Sequence, residues 1–206
     1  MELAKINVSM ELCAAHFLLQ WKRKEEKFHE SLSKKPSAES LRSALSFFII
    51  ARNFSGIKAD RNVAQEIIDM LLEIDKDKSL KVQEKVAALA AKFKVRFGKN
   101  NISAASKLLW LRRRAPYVIY DSRAEKTLKA MGAKFKSRDY AKYYEAWRTS
   151  YELYKPTIVK AVRGLHNIHK ILPEWDQSPE GTREMVNSDW FLERVFDIYL
   201  YQNSES

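Results

Sequence analysis

Apolar residues in this chain recur at helical spacing, and almost nowhere do they alternate as they would along a half-buried strand. A first helix is expected from a cap at Ser9 to about Ser31, ended by the loop Ser33 to Pro36. Ser37 caps a second helix, whose Leu41, Ala44, Leu45, Phe48 and Ile49 form the wide apolar face of a central element. Beyond the loop Asn53 to Ala59, Asp60 caps a third helix, with Val63, Ile67, Met70, Leu71 and Ile74 on one side. Ser79 opens a fourth, carrying Val82, Val86, Leu89, Phe93 and Phe97, and Gly98 stops it. A fifth runs from about Ile102 to Arg113. Pro116 ends that region, and Tyr117 to Tyr120 reads as extended. Asp121 and Ser122 begin a sixth helix, with Ser122 and Glu125 as a capping box and Gly132 as its stop.

A seventh helix carries the stripe Tyr140, Tyr143, Tyr144, Trp147, Tyr151 and Tyr154. Pro156 suits the first turn of an eighth, with Ile158, Val162, Leu165 and Ile168. A looser stretch from Pro173 to Ser188 precedes a last helix with Phe191, Val195, Phe196 and Leu200. The pattern predicts one all-α domain of about nine helices over residues 1–206, compact or in two lobes around a cleft, with no internal repeat and no linker.

Composition narrows the class. Hydrophobic residues make up 46% of 206, enough for a substantial core. No apolar run approaches the roughly 18 residues that a membrane span requires. Met1 to Lys5 lacks a charged start followed by an apolar block, so the expectation is a cytoplasmic protein with no membrane partner. The single cysteine, Cys13, excludes an internal disulfide and a thiolate metal cluster, and its neighbours Leu12, Ala14 and Ala15 place it in a helix core. No cofactor and no metal are expected. His166 and His169 share a helical face but have no third ligand at suitable spacing.

The net charge of +11 is unevenly placed. From Lys81 to Tyr140 there are 16 Lys and Arg against 4 Asp and Glu, whereas the rest of the chain is close to balance. Such a stretch has the electrostatic footprint of a phosphate-binding surface. Arg112, Arg113 and Arg114 leave a helix end in different directions, so they cannot all share one acid; they suit either phosphate or the negative end of the helix dipole. The aromatic stripe could stack on unpaired bases, but its spacing of three and four is that of a core face with phenols at the rim.

One segment, FGKNNISAASKLLWLRRRAPYVIYDSRAEKTL from Phe97 to Leu128, orders these pieces as helix, glycine-containing turn, helix, extended run, and an Asp opening another helix. The Asp serves either as a cap or, if Ser122 caps alone, as a carboxylate facing a cationic cleft. The arrangement, and the run SKLLWLRRRAPYVIYDSR in particular, resembles the helix-hairpin-helix DNA glycosylases, among them the bacterial 8-oxoguanine DNA glycosylase-like proteins.

The resemblance implies a hairpin within 95–128 that turns at Gly98 to Asn101 and contacts backbone phosphate through Lys99, Asn100 and Asn101. Arg112, Arg113, Arg114 and Arg123 would lie nearby as DNA-binding residues. It also implies Asp121 as the catalytic carboxylate, stabilising positive charge on the sugar as a damaged or modified base leaves. If the enzyme is also a lyase, an amine forms a Schiff base with the sugar, with Lys107 first and Lys99 second in position. Ile102 and Ser103 occupy the place where the family carries its lysine, and the turn has Gly98 but no second glycine. The other readings are a non-catalytic nucleic-acid-binding protein and a basic scaffold for an acidic protein partner.

Overall fold

The computed structural model describes residues 8–172 and 175–204, and the readings made at Met1 to Lys5 and at Pro173 lie outside them. The described residues are all-α. The helices are α1 (Met10–Gln20), α2 (Glu26–Lys34), α3 (Ala38–Phe47), α4 (Arg61–Lys76), α5 (Val82–Phe97), α6 (Ile102–Arg113), α7 (Ser122–Ala130), α8 (Tyr140–Val162), α9 (Pro179–Val186) and α10 (Asp189–Gln202). A π-helical segment, Trp21–Glu25, joins α1 to α2 without a break. With that run counted as one helix, the described residues hold nine.

Several caps sit where the sequence placed them. Ser9 Oγ accepts the Leu12 N–H, Ser37 that of Ser40, and the Asp60 carboxylate that of Asn62. Other expectations differ, three of them at helix boundaries here. Ser79 does not start α5: its hydroxyl and N–H are both drawn to Asp77 Oδ1, at 2.6 and 2.9 Å. The helix starts at Val82 instead, and Glu84 accepts the Lys81 N–H. Pro156 does not open a new helix but sits inside α8. Its missing N–H leaves the Glu152 carbonyl without a helical partner, and both residues are exposed, where solvent can meet that carbonyl. The stretch read as loose contains α9, capped by Ser178 and with Pro179 in its first turn.

The chain divides into two compact units. Among the described residues, the first comprises 8–20, 121–137, 145–172 and 175–204. Its core joins α1, α7 and α10. Phe17 packs on Phe191 with ring centroids 4.8 Å apart, and Thr127 Oγ1 on α7 donates to the Leu200 carbonyl of α10 at 2.7 Å. Trp147 stacks on Tyr151 and donates its indole N–H to Asp197 at 2.8 Å, so this half of the aromatic stripe is core.

The second unit comprises residues 21–120 and 138–144. Here α2 and α5 pack on α6, α3 packs on α2 and α4, and α4 packs on α5. Leu108, Leu109, Trp110 and Leu111 on α6 are all buried, which makes α6 the central rod of this unit. Trp21 meets Trp110 edge-to-face at 6.1 Å.

Candidate nucleic-acid interface

The α5–α6 turn is built by two residues. Gly98, with φ of 74°, takes the left-handed conformation that side-chain-bearing residues avoid, and its N–H donates to the Lys94 carbonyl at 2.9 Å. Asn101 then caps α6, its side-chain oxygen accepting the Ala104 N–H at 3.2 Å. Lys99 and Asn100 stand exposed between them. Of the three turn residues expected to meet phosphate, two are therefore presented to solvent and the third holds the helix end.

Lys107 lies on the inward side of α6, only 7% exposed. Its ammonium group donates to Ser103 Oγ at 3.0 Å and lies 5.9 Å from the centre of the Phe48 ring. The side chain thus reaches back one turn to Ser103.

The arginine triplet is divided by its surroundings. Arg112 and Arg113 converge on the carboxylate of Asp75, at 2.6 and 2.9 Å, and Arg112 also donates to the Leu32 and Ser33 carbonyls. Arg114 lies over the Trp21 ring, 5.7 Å from its centre. Asp75 is almost fully enclosed. Burial pushes its carboxyl up, but hydrogen bonds from Arg113 and Arg112, with the two positive charges, outweigh burial and hold it below the usual aspartate value. Enclosure likewise pushes the nearby Tyr117 hydroxyl up to about 12, with the negative charge of Asp75 adding to the effect.

This pairing changes the picture of the basic segment. Helix α4 presents acids to the cations of α5 and α6: Glu66 to Arg96 at 2.7 Å, Glu73 to Lys92 at 3.0 Å, and Asp75 to the arginines. Lys94 and Lys99 in this unit remain exposed, and so do Arg123, Lys126, Lys134 and Lys136 on and after α7 in the other. Arg123 lies 4.9 Å from the centre of the Tyr201 ring.

The extended run Tyr117 to Tyr120 is held within its unit from two sides. Ser106, fully buried on α6, accepts the Tyr120 N–H at 2.9 Å. Tyr140 and Tyr143 donate their hydroxyls to the Val118 and Ile119 carbonyls, at 2.8 and 3.0 Å. These three positioning residues were not singled out from sequence for that role. The tyrosines read as core, which they are, and nothing about Ser106 marks it in a run of small residues.

Asp121 follows immediately and is the N-cap of α7, its Oδ1 accepting the Arg123 N–H at 3.0 Å. Ser122 is the first helical residue, not the cap, and Glu125 is buried and ion-paired with Lys129 at 2.7 Å instead of closing a capping box. His166 and His169 lie on a short 3₁₀ segment, their Nδ1 atoms against the carbonyls of Arg163 and His166. No group of three potential metal ligands exists among the described residues, and no described helix is long and apolar enough to cross a membrane. No family model, curated protein or solved structure matches this chain.

Proposed function

We propose that the protein binds DNA through the α5–α6 turn and excises a damaged or modified base, with Asp121 as the catalytic carboxylate. The observation that carries this reading is the order of elements: a helix stopped at a left-handed glycine, a second helix, an extended run pinned by buried hydrogen bonds, and an aspartate at the start of the next helix. It is the order that the resemblance to helix-hairpin-helix glycosylases implies. Base loss builds positive charge on the sugar, which a carboxylate stabilises until a nucleophile reaches the anomeric carbon. With water as nucleophile, its hydroxyl goes to that carbon and its proton to the departing base. With an amine, its nitrogen replaces the base at the anomeric carbon, the amine proton going to the departing base; the ring C–O bond then opens to give the Schiff base, and loss of a proton from the neighbouring carbon expels the 3′ phosphate and cuts the strand. Lys107, whose ammonium group donates to Ser103, is the first lysine we assign to that role, and the exposed Lys99 is the second.

The test is a strand-cleavage and borohydride-trapping assay on duplexes carrying a panel of damaged and modified bases. Alkali-labile sites that fall by about a hundredfold or more in Asp121→Asn support the assignment. An adduct lost in Lys107→Ala names the amine. Full activity in Asp121→Asn refutes the role of the carboxylate.

A non-catalytic nucleic-acid-binding protein is the second reading, and the capping bond from Arg123 N–H to Asp121 favours it. On that reading the turn binds DNA with a steep salt dependence and no abasic product forms.

A further inference from the structure

Away from the basic segment, the second unit has a cleft of about 480 Å³ between the π segment with α2 on one side and α3 on the other. Arg23, Lys24 and Lys27 line it from the first side with Phe28, and Ser43, Ser46 and Phe47 from the second. We infer that this cleft binds a nucleoside phosphate, with its base unpaired and set against the phenylalanines and its phosphate among the three cations. The inference does not rest on the base-excision reading, since every residue it uses lies outside 81–140.

Four observations lead there. The lining carries three positive charges and no carboxylate. Among the described residues none of the three cations is in an ion pair, although acids are close by in sequence. Lys22, which does not line the cleft, takes Glu26 at 2.9 Å, and Lys34 takes Glu30. Arg23, Lys24 and Lys27 are all exposed, so an anion can reach them.

Secondly, the apolar part is aromatic. Phe28 and Phe47 are in contact, ring centroids 5.6 Å apart, and both are half-buried, so each is fixed from behind while part of its ring faces outward. Lys24 already lies 5.6 Å from the centre of the Phe47 ring. Cations interleaved with aromatic faces suit a ligand with a flat π-system and a phosphate, because stacking accepts any base while the cations take the backbone charge. A duplex hides its base faces in the stack, so only an unpaired base can use these rings.

Thirdly, the Ser43 and Ser46 hydroxyls, three positions apart on one face of α3 and exposed, supply donors for phosphate or sugar oxygens. Fourthly, Arg23 and Lys24 belong to the π segment itself. Such a wide turn is uncommon and is retained most often where function requires it. Here it is anchored by Trp21 and Glu25, both buried. The volume falls within the roughly 300–1,000 Å³ usual for small-ligand sites, which suits one nucleotide unit and not a folded partner.

The ligand could be a free nucleotide or one residue of a single strand, and the experiment separates them. Fluorescence anisotropy on the full chain would use labelled decathymidylate, with thymidine monophosphate, inorganic phosphate and oligoglutamate as competitors. Both thymidine probes should bind, and Lys24→Glu/Lys27→Glu should weaken both at least tenfold. Phe28→Leu, which keeps the charge, should weaken the nucleotides severalfold and leave competition by phosphate unchanged. A strand held more than tenfold tighter than the mononucleotide identifies a single-strand site; near-equal affinities identify a free-nucleotide site. If Lys24→Glu/Lys27→Glu, folded by circular dichroism, binds both thymidine probes as the parent does, the proposal is overturned. Competition by oligoglutamate as effective as that by the strand overturns it as well, since the site would then read charge alone.

Discussion

Replacing Asp75 by Asn tests whether the arginine cluster is a structural clamp. The Asp75 side chain is 2% exposed, Arg112 10% and Arg113 54%. Asn keeps the shape and one acceptor oxygen but removes the charge that holds two guanidinium groups together. Removing one member of a buried pair usually costs about 3–5 kcal/mol, and the half-exposed Arg113 can turn to solvent, so the lower end, roughly 3 kcal/mol, is expected. For a protein of this size that lowers the melting temperature by about 6–12 °C. The pH dependence has a definite sign. Because the carboxyl is held below its ordinary value of 3.8, its stabilising contribution is present above that pH and lost as pH falls through the folded-state value. Thermal unfolding of both proteins from neutral pH to pH 3 should show a gap that narrows below about pH 4. A loss smaller than about 1 kcal/mol at neutral pH, the worth of an ordinary exposed pair, would refute the clamp, as would a gap that does not narrow in acid.

Gly98→Ala should destabilise by about 1 kcal/mol in urea unfolding, with Gly98→Asn milder, because the added Cβ meets nothing within 4 Å and only the left-handed backbone resists it. Cys13, whose thiol burial pushes up to about 11, with the charge of Glu11 adding to the effect, should resist iodoacetamide at pH 8 in the folded protein and react fully in denaturant. In DNA-binding titrations against salt, Lys99→Ala should lower the slope of log K by about 1, since an exposed turn lysine releases a counterion of its own. Arg96→Ala, whose guanidinium is already occupied by Glu66, should change it far less.

Helix positions were legible because an amphipathic period and a capping side chain are both local properties. Ser37, Asp60 and Gly98 each satisfy or release backbone groups within a turn of themselves. The misreadings came from local competitors of equal strength. Ser79 is as good a cap as Ser37, but Asp77 two positions earlier takes its hydroxyl and its N–H, so the helix begins later. Pro156 fits a first helical turn and also fits an exposed face of a long helix, and only the packing of Trp147, Tyr151 and Ile158 on one continuous side decides for the second. Asp121 and Ser122 are adjacent capping residues of comparable strength, and the structure puts Asp121 at the helix start, its carboxylate accepting the Arg123 N–H.

The candidate interface was legible in its order along the chain and much less so in its charge. A count from Lys81 to Tyr140 treats every cation alike, but whether one is available depends on what faces it from another helix. Glu66, Glu73 and Asp75 recur along α4 at spacings of seven and two, which puts them beside α5 and α6 when those helices pack. A helical partner of opposite charge therefore converts part of an apparent phosphate footprint into internal ion pairs. The reverse holds in the cleft beside the π segment. Its three cations lie in a stretch whose net charge is unremarkable, because Glu25 is buried and Glu26 and Glu30 turn to other lysines. Exposed charge that a ligand can use is thus set by which acids the fold consumes, and here the fold removes cations from the segment the count selects and leaves them in one it passes over.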